Sequence, residues 1–470
     1  MTATLINPTD LRGVRDAVLD SAGPLAVTGA GTAANWAGAL GPTDAVLDLR
    51  ALNGVITHNP GDMTVSVRAG TPLRDLNAEL AGHGQHVALD AARVADGATV
   101  GGLLATSDAG PGALVHGSLR DLVIGVTLVL ADGTVARSGG HVIKNVAGYD
   151  LAKLVHGAYG TLAVVAEVVL RLHPLPHAVA TLVLPCPLEE AAEHAARILG
   201  GPYEPAALEW VSDPDALLVR IEGTEAALPD RVERLRELLG PAATVAAVSP
   251  ADGRDSRRKP PDDGAARQDL DDAPAGTDAG AGSAPDATAP DVSAASGVAA
   301  DPAGPGTTEA GRLALSRNEG DEQPPARSSA TPTDDEGPPI DDRLANPWDR
   351  HARLTRGTLD DAVLRIGVRP SRLPGVLAAL DARSVTAGLG TGVATVALPA
   401  DPAVVAAAHT TVHAAGGTSV LRSRPVGFDA AAWGPPPSAI ALLRAVKNEL
   451  DPHGRFGPGR LAPWLTEGAP

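Results

Sequence analysis

Five residues, Thr28-Gly29-Ala30-Gly31-Thr32, follow the apolar run of a strand and precede a string of small side chains. Such a turn can aim successive backbone N–H groups at one point, and the natural guest is an anion. From Ala95 to Leu172 further strand-like runs are broken repeatedly by glycine. Glycine at this density costs conformational entropy, so it is kept where φ must be positive or where main chain must approach a ligand closely. Histidine is the other chemistry-bearing type, with 13 residues, among them the close pairs His83/His86 and His409/His413. The second pair falls at i, i+4 on an Ala-rich helix, but no Glu follows His409 and no third ligand is placed, so neither pair reads as a metal site. The P-loop string is missing, and so is a strand-bound G-x-G-x-x-G with a trailing acid.

Composition narrows the classes. At 470 residues the chain exceeds a single core and divides into two or three domains. A formal charge of −18 without a Lys/Arg cluster argues against nucleic acid as a partner. One cysteine, Cys186, excludes an intrachain disulfide and a cysteine-ligated iron–sulfur cluster, and fits a reducing cytoplasm. The start lacks a basic region followed by an apolar core, and no later run has the 18 apolar residues of a membrane helix. The expectation is a cytoplasmic chain with no transmembrane segment, leaving open peripheral attachment to the inner face of the membrane.

The elements that must position these turns follow in order. Residues 7–22 read as a helix with Thr9-Asp10 at its start, and the run Pro24–Gly31 as a strand that opens the turn. A strand, the Asn59–Asp62 turn, a second strand with Thr64 and Ser66 alternating with Val65 and Val67, and a helix from Leu73 come next. From Ala178 the pattern changes to β-α-β-β-α-β, a ferredoxin-like unit, and it recurs after residue 350. Between the two units lie residues 251–345, rich in Pro, Gly, Ala, Ser and Asp and without an aromatic residue. They hold 9 Lys/Arg and 20 Asp/Glu, a net of −11, so the rest of the chain carries only −7 of the total −18. This composition cannot bury enough surface to fold alone and reads as a disordered acidic linker.

Several motifs in this order resemble the FAD-linked oxidases of the PCMH-type, vanillyl-alcohol oxidase class, and within it the flavin subunits of bacterial glycolate oxidases. The Thr28–Thr32 turn is similar to the family's PRGGGT-type loop, departing at Ala30. Thr99-Val100-Gly101-Gly102, followed by Ala105-Thr106-Ser107, is similar to its ATVGG…AT(N/S) segment. Gly117 opens a G-x-x-R-D turn, with Arg120 and Asp121 either an ion pair fixing that turn or part of the ligand site. Lys144-Asn145-Val146-Ala147-Gly148-Tyr149-Asp150-Leu151 resembles the K-N-x-x-G-Y-D-L signature, and Gly160-Thr161-Leu162-Ala163-Val164-Val165 stands for GTLG(I/V)I, departing at Ala163. Asp451 to Arg460 resembles DPxGxxNPG(K/R), with Gly457 in place of asparagine.

The resemblance implies an α+β fold: a PCMH-type FAD-binding domain of two α/β subdomains over 1–177, and a cap of two ferredoxin-like βαββαβ repeats interrupted by a disordered insertion. The boundaries are 178–250 for the first repeat, 251–345 for the linker, 346–426 for the second repeat, and 427–470 for a segment returning to the FAD domain. The implied cofactor is FAD, non-covalent because no histidine lies in the Thr28–Thr32 loop. Its contacts would be Thr28, Gly29, Ala30, Gly31, Thr32, Thr99, Val100, Gly101, Gly102, Ala105, Thr106, Ser107, Gly117, Asn145, Gly148, Gly160, Thr161, Leu162, Val164 and Val165, with no metal site.

The implied activity is oxidation of a small 2-hydroxy acid, glycolate to glyoxylate. The catalytic members of the class carry an H-x-H-x-G-D-G-N-type cluster that this chain lacks. That absence points to a flavin subunit working beside a catalytic FAD sister chain and an iron–sulfur subunit. A self-sufficient FAD-dependent oxidoreductase and an inactive flavin-fold scaffold stay open. The catalytic residues are unassigned: Arg120, Lys144, Tyr149, Arg422, Arg424 and the histidines are scattered candidates, with Lys144 and Tyr149 equally readable as structural, Tyr149 packed in a core.

Overall fold

The computed structural model describes residues 3–142, 149–250 and 346–465. These lie in one unit made of Met1–Arg257 and Ile340–Pro470, while a second unit, Arg258–Pro339, falls outside the described residues together with the rest of the 251–345 linker.

Strand β1 (Thr4–Ile6) leads to helix α1 (Leu11–Asp20), which starts where the Asp10 carboxylate accepts the Gly13 amide at 2.7 Å. Val14, Ala17 and Val18 recur at helical spacing and are buried. β2 (Leu25–Thr28) and β3 (Ala45–Asp48) join β1 in a parallel sheet of order β1-β3-β2. β2 therefore delivers the Thr28–Thr32 turn from the C-terminal end of a parallel strand, the end at which open α/β sheets bind ligands.

The chain then builds a second layer: β4 (Val55–Asn59), β5 (Thr64–Arg68), α2 (Leu73–Ala81), β6 (Gln85–His86), α3 (Val100–Thr106), the single turns α4 (Ala113–His116) and α5 (Leu119–Leu122), β7 (Val123–Val129), β8 (Val135–Gly139), α6 (Leu151–Val155), β9 (Val164–Arg171) and β10 (His173–Pro174). Five strands form an antiparallel sheet, β4-β5-β9-β7-β8, and β6 pairs with β10. Val65, Val67, Leu76, Leu103, Leu104 and Val168 share its core. The alternation read along β5 is incomplete, because Thr64 and Ser66 are buried as well; Thr64 Oγ1 lies 2.8 Å from His141 Nδ1, which covers that face.

The remaining elements are β11 (Ala178–Pro185), α7 (Leu188–Leu199), β12 (Ala207–Val211), β13 (Ala216–Gly223), α8 (Leu228–Leu239), β14 (Thr244–Pro250), α9 (Pro347–Arg356), β15 (Asp361–Gly367), α10 (Leu373–Ala378), β16 (Ser384–Gly388), β17 (Val393–Pro399), α11 (Pro402–Ala414), β18 (Thr418–Ser423) and α12 (Ile440–Leu450). Their eight strands make one antiparallel sheet, β14-β11-β13-β12-β16-β17-β15-β18. The two halves meet where β12 pairs with β16, Trp210 opposite Ala387. One face is apolar, with Leu364 and Ile366, Val385 and Ala387, and Ala394 and Val396 in a common core. The alternate positions, Arg365, Thr386 and Thr395, point the other way, as the period of two requires. Thr386 and Thr395 are nonetheless buried, because α9 and the loop 109–113 cover this polar face.

The C-terminal segment closes back on the first sheet. The Leu25 amide donates to the Arg455 carbonyl at 2.7 Å, the Gly457 amide donates to the Leu25 carbonyl at 3.0 Å, and Phe456, 1% exposed, joins Val14, Leu25 and Leu47 in their core.

Candidate functional site

The Thr28–Thr32 turn leaves its donors free. Among the described residues no acceptor pairs with the amides of Gly29, Ala30, Gly31 or Thr32, while the Gly31 carbonyl accepts from Ala34 at 3.0 Å. Gly31 has φ +74°, in the left-handed region, and an added Cβ there would meet nothing within 4 Å. Unspent main-chain donors facing open space are what an anion needs.

The turn borders a cavity of about 300 Å³. Its walls include Thr28, Gly29, Ala30, Gly31 and Thr32 from the first sheet, Thr99, Gly101, Gly102, Ala105 and Thr106 around α3, and Gly160 and Val165 leading into β9. Val100, Ser107, Gly117, Thr161, Leu162 and Val164 stand outside that lining. Val100, Thr161, Leu162 and Val164 are buried, Thr161 with its hydroxyl on the Ala158 carbonyl at 2.7 Å. Ser107 ends α3 at φ +49°. Gly117, at φ +75°, has Asp121 Oδ2 2.4 Å from where its Cβ would stand, so a tight turn accounts for it. Asn145 and Gly148, with Lys144, lie outside the described residues.

The two glycine turns do different things. The Val100 amide donates to the Thr71 carbonyl at 2.9 Å, the Gly101 amide to the Ala69 carbonyl at 2.8 Å, and the Gly102 amide to Thr99 Oγ1 at 3.2 Å. These donors are occupied within the protein. Gly101 is glycine because α3 passes close to Ala69, the residue after β5: its Cβ would stand 2.8 Å from Ala69 Cβ. Thr99 to Gly102 thus supply cavity wall, and the free donors belong to residues 29–32.

At one end of the cavity the lining turns ionic. Arg93 and Asp108 line it, and Asp108 accepts from Arg422 Nη1 at 2.7 Å in a pair whose side chains are each 2% exposed. The Arg93 and Arg422 guanidinium groups lie 4.4 and 3.9 Å from the ring centre of Trp36. Among the described residues no atom pairs with Asp108 Oδ2, Arg93 Nη1, or Arg422 Nε and Nη2. Burial pulls the Arg93 pKa down to about 10, the Asp108 charge opposing it and the Arg422 charge adding to it. Burial also lowers Arg365 to about 10, with Arg422 as the next cause. Tyr159, at φ +53°, stands in the cavity wall with its phenol pushed up by burial. Arg460 completes the wall, Nη1 donating to the Trp36 carbonyl at 2.9 Å.

Asp108 ends its part of this wall, and the next residues, Ala109 to Pro111, line a second cavity of about 60 Å³. Arg365, Thr355, Thr386 and Thr395 line it too, beside the buried pair His351 Nε2 and Glu209 Oε2 at 3.2 Å.

Other sequence candidates resolve into structure. Asp121 caps α5 through the Ser118 amide at 2.9 Å, so that turn is fixed by Ser118 and Asp121 and no Arg120–Asp121 ion pair is found among the described residues. Tyr149 is 91% exposed and not packed in a core. His409 is buried between Ser419 Oγ at 2.6 Å and the Ala431 carbonyl at 3.0 Å, whereas His413 is exposed. Arg424 donates to the Asn35 and Ala37 carbonyls. Among the described residues no His/Cys/Asp/Glu group could hold a metal, and no helix is long and apolar enough to cross a membrane.

Residues 3–139 match the family model of an FAD binding domain. Glycolate oxidase subunit GlcE of Escherichia coli (strain K12) is 36% identical over 198 residues, 42% of this chain and 55% of that protein. Glycolate oxidase subunit GlcD of Bacillus subtilis (strain 168) is 32% identical over 199 residues, 42% of each chain. A D-lactate dehydrogenase of Archaeoglobus fulgidus is 39% identical over 117 residues, 25% of this chain and 26% of that one. The chain thus spans about half the length of the first two of these relatives. A solved alkyldihydroxyacetonephosphate synthase shares the fold, with a TM-score of 0.55 over 97% of this chain and 75% of that one at 13% identity. Residues 3–139 are accordingly an FAD binding domain, and FAD is the cofactor of this chain.

Proposed function

We propose that the chain is the flavin subunit of a glycolate dehydrogenase or oxidase complex, in the place of the E subunit, and takes part in oxidising a 2-hydroxy acid to the 2-keto acid. The observation that carries this reading is one cavity lined both by the unspent amides of Gly29–Thr32 and by Arg93 and Asp108, the latter paired with the buried Arg422. FAD supplies the acceptor for the hydride.

The chain's own residues divide the remaining work. The amides of Gly29, Ala30, Gly31 and Thr32 hold the diphosphate. Gly102, Ala105 and Gly160 would keep the walls low enough for the cofactor to approach the main chain. FAD is held non-covalently, consistent with a lining that contains no histidine or cysteine among the described residues. The cationic end, sealed by β18 and Trp36, excludes water, where charged groups act strongly on a bound anion.

The subunit would work beside a catalytic flavin chain and an iron–sulfur chain, in the cytoplasm or held at the inner face of the membrane through them. Two relatives carry the word subunit in their names, and this chain's single cysteine cannot hold a cluster of its own. A second reading, turnover by the isolated chain, is favoured by the buried Asp108 beside two cations. Dye reduction with glycolate separates them: activity only on co-expression with both partner chains supports the complex. Equal turnover by the chain alone contradicts it.

A further inference from the structure

The unpartnered atoms at the ionic end form a pattern. Three of them, Arg93 Nη1, Arg422 Nε and Arg422 Nη2, can only donate, and one, Asp108 Oδ2, is a carboxylate oxygen that accepts. All belong to side chains more than nine-tenths buried: Arg93 is 7% exposed, Arg422 and Asp108 2% each. Leaving such groups unpaired in a low-dielectric interior is costly, and native folds keep them for a partner that arrives later. Charge points the same way. Arg422 acts electrostatically on both Arg93 and Arg365, and the Asp108 carboxylate counters it at each, so these cations outnumber the carboxylate they share.

A guest that satisfies the set must accept from two guanidinium groups and donate to one carboxylate oxygen. Acetate accepts from the guanidinium groups but has no hydroxyl to donate, whereas a 2-hydroxy acid carries an acid group and a hydroxyl on adjacent carbons. We propose that Arg93, Arg422 and Asp108 form the receptor for a small 2-hydroxy acid: the two arginines take its carboxylate, and Asp108 Oδ2 accepts its hydroxyl proton. The inference rests on the proposed function, whose 2-hydroxy acid it keeps, and adds this chain's own anchors for that acid and the oxygen that accepts its hydroxyl hydrogen.

The scaffold suits the role. Trp36 lies against both guanidinium planes and holds them in place. Arg422 Nη1 occupies Asp108 Oδ1, so Oδ2 alone is left for the ligand. Asp108 lies within the 3–139 FAD binding domain and Arg422 on β18, so the receptor forms only where the eight-stranded sheet meets that domain. That placement puts a bound acid beside the cofactor.

The test uses the full chain, loaded with FAD and chemically reduced under nitrogen so that nothing turns over. Calorimetric titrations with glycolate, acetate and glycolamide then read binding alone. Glycolate should bind about tenfold or more tighter than acetate, since a charge-assisted hydrogen bond is at stake, and glycolamide should not bind measurably. Arg93→Met should weaken glycolate about tenfold or more with the FAD content unchanged. In Asp108→Asn the carbonyl oxygen stays on Arg422 and an amide N–H replaces Oδ2, so the preference for glycolate over acetate should disappear. Equal affinity for glycolate and acetate in a chain holding stoichiometric FAD overturns the proposal. So does an Arg93→Met chain that binds glycolate unchanged or loses FAD instead, which would make Arg93 a cofactor ligand. Should Arg93→Met fail to fold, the ligand order on the wild-type chain decides. A chain that takes up no FAD contradicts the underlying reading as well, and is recognised by its lack of colour.

Discussion

Replacing Gly31 and Gly101 by alanine should separate a glycine kept for the ligand from one kept for packing. At Gly31 the new methyl meets no atom within 4 Å, so the penalty comes from φ +74° alone, about 1–2 kcal/mol for an L-residue. A free turn can relax away from that conformation and a turn wrapped on a diphosphate cannot. The penalty therefore falls on binding, and FAD affinity should drop roughly 5- to 30-fold with little change in the stability of the FAD-free chain. At Gly101 the methyl would stand 2.8 Å from Ala69 Cβ and 3.0 Å from its carbonyl oxygen, both on the residue after β5. Overpacking of that kind costs about 1–3 kcal/mol, and it should appear as a lower denaturation midpoint with and without FAD. Titrating each FAD-free variant with FAD by flavin fluorescence, and unfolding each in urea, reads both quantities. The division of labour is refuted if Gly31→Ala binds FAD like the wild type, or if Gly101→Ala keeps its stability and loses only FAD.

Three more outcomes follow from the packing and the charges. Phe456→Ala should destabilise the chain by about 3–5 kcal/mol in chemical denaturation, because a 1% exposed ring leaves the core around Leu25 and Leu47; a loss under about 1 kcal/mol would mean the C-terminal segment docks loosely. Burial lowers His86, His156 and His173 to about 4 from 6.5. The unfolded chain then binds more protons between those values, so the melting temperature should fall as pH drops from about 6.5 to about 4, and His156→Asn should flatten that slope. Replacing residues 251–345 with a short Gly/Ser linker should leave FAD content and melting temperature unchanged, since that stretch has no aromatic residue to anchor a core; loss of flavin on replacement would contradict this.

What could be read from the residues alone was local. The Asp10 cap and the Val14, Ala17, Val18 spacing mark α1, and the Thr28–Thr32 turn stands out because its small residues are consecutive. Period-two alternation separates Arg365 and Thr386 from Leu364 and Val385, yet it does not say that α9 and the 109–113 loop bury the polar face. The ionic end was hidden for a related reason. Trp36, Arg93, Asp108 and Arg422 come from four separate stretches, none with a motif of its own, and only Arg422 was among the scattered candidates. The signal that could have raised it is an arginine directly after the apolar pair Val420-Leu421 in a strand, where burial demands a partner. Gly101 shows the reverse case, a glycine whose position suggests a ligand contact while its neighbour Ala69 explains it by close packing.

The most direct test of the account is anaerobic addition of glycolate to the purified, FAD-loaded chain together with its partner subunits, following the absorbance of oxidised flavin. The account predicts that this absorbance bleaches on adding glycolate, recovers with a dye acceptor, and bleaches far more slowly when this chain carries Arg93→Met. A complex that bleaches at the wild-type rate with Arg93→Met, or a chain that purifies without flavin, would contradict it.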